Sequence, residues 1–169
     1  TLKVVDADGG TLDFGIATIT GIENLHITDA AANVTEYKVE DVDGLEQVTL
    51  KGVDDDQTLS GMKSTTNVVV AAQSANVLTL TYADAGEAGD QSASITLMGG
   101  TDANDNADIS AAGIENVTLS TSGSKSEVQD LTFAAAKSLT INADEALRVD
   151  GTLNLANTAT KTLSVSGDS

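Results

Sequence analysis

No cysteine and no proline occur anywhere in the chain, and only Phe14, Tyr37, Tyr82 and Phe133 are aromatic. The missing thiols exclude a disulfide framework, a thiolate nucleophile, a zinc ribbon and an iron–sulfur site. They also suit export through oxidising compartments, where no wrong pairing can then occur. Basic residues are scarce as well: 8 against 26 acids, a net charge of −18. None lies between Lys63 and Lys125, a stretch that carries Asp84, Glu87, Asp90, Asp102, Asp105, Asp108 and Glu115. Such a surface repels phosphate backbones and anionic lipid, which argues against nucleic-acid binding and membrane association. The longest apolar runs, such as Val68 to Ala72, are far too short to cross a bilayer. The start at Thr1, with no basic-then-apolar leader, is the pattern expected of a processed or excised piece of a larger protein.

What remains is rich in Ala, Thr, Ser, Gly, Asp and Asn, with 40% hydrophobic residues. That fraction is too high for a disordered acidic tail. The aliphatics fall in short alternating groups: Leu25-His26-Ile27, Val48-Thr49-Leu50, Val77 to Leu80, Ile95-Thr96-Leu97, Val117-Thr118-Leu119, Leu139-Thr140-Ile141 and Leu163-Ser164-Val165. Period-two spacing puts the aliphatic pair on one face of a strand and the polar residue on the other. Gly, Asp, Asn and Ser between the groups supply turn chemistry. Ala134 to Lys137 is too short for a helix.

A degenerate repeat runs through this pattern. Gly21-Ile22-Glu23-Asn24-Leu25 matches Gly113-Ile114-Glu115-Asn116-Val117, with a third copy at Gly44-Leu45-Glu46-Gln47-Val48. The glycines are spaced by 23 (44 − 21) and by 69 (113 − 44), and 69 is three times 23. A period of that size suits one coil of a solenoid. Two intermediate coils are then expected near Val68–Val70 and Ile95–Leu97, with several short strands per coil after Asp130. The expected fold is all-β, an irregular parallel β-solenoid (β-helix) with Asp/Gly/Asn-rich turns; a β-sandwich is the alternative. One module over 1–169 is expected, with a subdivision near 125–130 as a further option.

The carboxylates cluster at the turns, and calcium takes six to eight oxygens from such loops. Asp6, Asp8 and Asp13 surround a glycine pair; the segment starts like an EF-hand loop but lacks its terminal Glu. Asp54, Asp55 and Asp56 are adjacent and repel one another unless cations intervene. Asp102, Asn104, Asp105, Asn106 and Asp108 crowd into one short segment. These are the candidate metal ligands; Asp41 to Gly44 and Asp84 with Glu87 and Asp90 are weaker ones. In the repeat, turn formation is a sufficient local reason for Glu23 and Glu115. The single histidine, His26, lies on the polar phase of a strand, and no Gly-x-Ser-x-Gly elbow accompanies it. Acid pairs alone could hydrolyse sugars, but with so few aromatics there is no platform for a sugar chain. No enzymatic activity is expected.

The repeated Gly-Ile-Glu-Asn-Val-Thr-Leu at Gly113–Leu119 and the Leu-Thr-Ile-Asn-Ala unit at Leu139–Ala143, in an acidic cysteine-free chain, resemble the surface-layer proteins of Gram-negative bacteria. They are also similar to calcium-binding repeat adhesins of the RTX type, exported by type I secretion. The resemblance implies a secreted, cell-surface structural module, bound to Ca2+, that self-assembles into a lattice or filament as a homo-oligomer. Cell-surface polysaccharide is a further candidate partner. A calcium-stabilised stalk or ligand-binding module of an adhesin is the alternative. The glycine- and aspartate-rich nonapeptide of RTX repeats is absent; Gly99-Gly100-Thr101-Asp102 only echoes it.

Overall fold

The computed structural model describes residues 1–14, 19–30, 35–52, 56–71, 77–98, 108–156 and 161–167. Among them the chain forms nineteen strands and no α-helix. In chain order these are β1 Leu2–Asp6, β2 Gly10–Asp13, β3 Ile19–Thr20, β4 Asn24–Asp29, β5 Thr35–Lys38, β6 Val42–Asp43, β7 Gln47–Lys51, β8 Gln57–Met62, β9 Asn67–Ala71 and β10 Val77–Tyr82. There follow β11 Ser92–Met98, β12 Asp108–Ala111, β13 Asn116–Ser122, β14 Ser126–Val128, β15 Leu131–Thr132, β16 Ser138–Ala143, β17 Leu147–Val149, β18 Leu153–Asn154 and β19 Thr162–Gly167.

Successive coils stack two long parallel sheets. The first face runs β1-β4-β7-β9-β11-β13-β16-β19 and the second β18-β15-β12-β10-β8-β5-β2. Every strand pairing among the described residues is parallel, which decides between the two folds open to the sequence: the chain is a β-solenoid. Both faces run unbroken through residues 125–130, by way of β13–β16 and β12–β15. Short third strands fill opposite corners at the two ends. β3–β6 sits between the second and first faces, and β14–β17 between the first and second.

On the first face two inward rows run through all eight strands, and a third, Ala93, Val117, Leu139 and Leu163, joins them from β11 on. One stacks Leu2, Leu25, Val48, Val68, Ile95, Leu119, Ile141 and Val165. The other stacks Val4, Ile27, Leu50, Val70, Leu97, Thr121, Ala143 and Gly167. Facing them from the second face are Tyr37, Leu59, Leu78, Leu80, Ile109 and Leu131, all buried. Phe14 and Phe133 are core residues, as their apolar character implies. Outward rows carry Asn, Gln, Ser and Thr, which hydrogen-bond from coil to coil: Asn67 Nδ2 donates to Gln47 Oε1 (3.2 Å) and Ser138 Oγ to Asn116 Oδ1 (2.7 Å).

The coil repeat is 23 for the first two steps (25 − 2 and 48 − 25), then 20 (68 − 48) and 27 (95 − 68). The intermediate coils fall where the glycine spacing puts them. The register, however, slips by two: three coils on, the partner of Val48 is Leu119 and not the motif-matched Val117. A slip of two is tolerated because side chains alternate with period two, so the inward set stays inward. At the three repeat glycines φ is +75° (Gly21), +79° (Gly44) and +77° (Gly113), a left-handed conformation that explains the residue type.

Candidate functional site: the carboxylate corners

Acids collect where the chain leaves one face for the other. At the corner between the first and second faces, Asp6 closes its own turn: Oδ1 accepts from the N–H of Asp8 (3.3 Å) and of Gly9 (3.2 Å). Its Oδ2 is buried with no hydrogen-bond partner. Asp29 stacks on Asp6 in register, one coil on, and is buried to 7% exposure. The side-chain amide of Gln57, itself buried, donates to Asp29 Oδ2. The Oε1 of that amide has no partner. Carboxylate and amide oxygens that lack donors are the hard ligands calcium takes, so this corner fits the ion in chemical kind.

Asp8 lies exposed beside Asp6 in this turn. Asp13 does not join it. It stands at the far end of β2 from Gly10, roughly 10 Å away at strand rise, paired in register with Lys38. Asp56 and Asp108 have a different task at the same corner. Asp56 Oδ1 accepts from Val77 N–H (3.0 Å), and Asp108 Oδ1 from Asp130 N–H (3.0 Å). Asp130 repeats the device, accepting from Thr152 N–H. In each case a carboxylate at the start of a second-face strand holds the N–H at the start of the strand on the next coil. The half-buried Asp130 N–H needs such an acceptor, whereas at the exposed Val77 and Thr152 N–H groups the carboxylate takes the place of water. Asp54, Asp55, Asp102, Asn104, Asp105 and Asn106 lie outside the described residues. Among the described residues no three His, Asp or Glu side chains converge closely enough to hold a metal ion by themselves.

The opposite corner is built by the glycine motif. The Glu23 carbonyl accepts from the N–H groups of Glu46 (2.8 Å) and Gln47 (2.9 Å). The Glu115 carbonyl likewise accepts from Lys137 (2.7 Å) and Ser138 (3.0 Å). Glu115 Oε2 also takes the N–H of Gln91 at 3.0 Å, so this side chain bridges coils. Asp84 accepts three hydrogen bonds from Ser64, two from its N–H and one from its hydroxyl. Asp90 pairs with Lys137, and that hydrogen bond raises the lysine above its ordinary pKa. His26 sits half-exposed on the outward row of the first face between Lys3 and Thr49.

Sequence reasoning passed over Asp29, Gln57 and Asp130. A signal for two of them was present. Asp29 follows Asp6 at a spacing of 23 (29 − 6), the glycine period, and Asp130 follows Asp108 at a spacing of 22 (130 − 108). Set against protein-family models, curated proteins and solved structures, the chain matches none of them.

Proposed function

We propose that the chain is a structural module of a bacterial cell surface, secreted, stabilised by calcium and self-assembling into a surface-layer lattice or filament. The observation that carries this reading is the stacked Asp6–Asp29 pair, where Asp6 Oδ2 and the Oε1 of the neighbouring Gln57 are buried without donors. A chain of net charge −18 that also buries acceptor oxygens gains from any divalent cation it can seat. Among the described residues β19 is an edge strand exposed along its whole length, with Leu163 at 53% and Val165 at 65%, and such an edge takes a further parallel strand, from the same chain or from another copy.

The adhesin stalk is the second reading, favoured by shape. Eight stacked strands at about 4.8 Å give a rod roughly 34 Å long on the first face, and rods serve as spacers. Thermal melting and negative-stain electron microscopy, each with calcium and with a chelator, test both. Assembly expects sheets or filaments only with calcium, and a lower melting temperature on chelation. A stalk keeps the melting shift and stays monomeric. Identical melting and identical particles under both conditions would remove the calcium reading altogether.

A further inference from the structure

Among the described residues, the third strand β6 has a strand neighbour on one side only, β3. One coil on, the chain passes from β8 to β9 through the turn Lys63–Thr66, with no third strand; this is the short coil between Val48 and Val68. The step leaves a cleft of about 270 Å³ beside the free edge of β6. Val42, Leu45 and Met62 give it an apolar floor. Glu40, Asp43 and Glu46 stand exposed around it, against a single base, Lys63, so its rim carries −2 (1 − 3). Glu40 is set firmly at the lip: a Cβ on Gly61 would lie 2.6 Å from the Glu40 Cβ, so only glycine lets the two coils approach there.

A free strand edge supplies backbone donors and acceptors, an apolar floor takes alternate side chains, and an acidic rim selects charge. Together these are the parts of a strand-addition site. The geometry points to a binding groove for an extended cationic peptide segment, which adds to the edge of β6 and lays its lysine or arginine side chains against Glu40, Asp43 and Glu46. The occupant is argued from charge: the rim is net acidic and the unpaired edge is on the same side of the cleft. This site is separate from the calcium corner and does not depend on it.

The probe is a blocked heptapeptide of alternating lysine and threonine, titrated into isotope-labelled full chain in salt of about 150 mM, where long-range attraction is screened. Amide shifts are expected at Val42–Glu46 and Lys63–Thr66. The triple variant E40Q/D43N/E46Q should weaken binding by about tenfold or more, and the control triple E87Q/D144N/E145Q by less than about twofold. Retained amide spectra confirm that both variants fold. Shifts spread over every acidic corner, equal losses in the two triples, or a spermine titration that reproduces the peptide's pattern and affinity would each overturn the groove in favour of diffuse cation attraction. No shifts at all would overturn it too.

Discussion

Tyr82 holds a phenol buried at the end of β10 with no hydrogen-bond partner. Burial, with the charge of Asp84 beside it, pushes its pKa well above the ordinary tyrosine value. An unpartnered hydroxyl costs free energy in the folded state, so Tyr82→Phe should leave stability unchanged or raise it by on the order of 1 kcal/mol. The pH effect has a definite sign. The folded state keeps its proton where the unfolded chain, with a phenol pKa of about 10, gives it up. This contribution is complete below about pH 10 and fades as pH rises toward the folded value. Urea unfolding at neutral and at strongly alkaline pH should show a loss in the wild type that is smaller in the variant. Asp130 makes the opposite case, a side chain whose worth lies in one acceptor oxygen. Asp130→Ala leaves the exposed Thr152 N–H to water and should cost at most about 1 kcal/mol in thermal melting, whereas Asp130→Asn keeps an acceptor and should recover most of it. Residue type and turn position were legible in the sequence, so the acids were placed at corners. Which oxygen meets an N–H depends on the neighbouring coil, a full turn of the solenoid away, and no local pattern carries that.

The strands were the most legible elements, because period-two alternation of Leu, Ile and Val with Thr and Ser states which side faces in. Leu25, Ile27, Val48 and Leu50 are all buried as that pattern requires. The register was less legible. The glycine motif aligns Val117 with Val48, yet the ladder sets Leu119 there, since the coil from Val68 to Ile95 is long and β11 extends further back than β9 does. Of the short third strands, β17 shows the alternation plainly at Leu147-Arg148-Val149, whereas β3, β6 and β14 escaped notice, being only two or three residues long. Within an inward row the cost of substitution depends on what is lost. Leu50→Ala opens a cavity among packed aliphatics and should cost about 2–5 kcal/mol. Thr121 lies in the same row at 1% exposure, and its hydroxyl donates to the Glu145 carbonyl and accepts from the Glu145 N–H (3.0 Å). Thr121→Val keeps the volume but abandons both groups. It should cost about 1–3 kcal/mol in thermal melting, with Thr121→Ser close to wild type.

For the molecule as a whole the governing quantity is the charge of −18. Its size was plain from composition, and its sign argues against polyanionic partners. Composition alone says nothing of whether cations screen the charge from solution or occupy places in the fold. The Asp6–Asp29 stack makes the distinction testable, because screening and site binding respond differently to concentration. Screening follows ionic strength, with a Debye length of about 10 Å at 0.1 M, whatever the cation. Site binding stabilises by RT ln(1 + [L]/Kd), so it begins near Kd and is selective among cations. The melting temperature in calcium chloride should therefore exceed that in sodium chloride at matched ionic strength. The excess should fall in the double variant Asp6→Asn with Asp29→Asn, although that variant carries less repulsion. Equal melting in the two salts would leave only self-repulsion and its screening. A calcium excess that survives both substitutions would put the ion on other carboxylates of the chain.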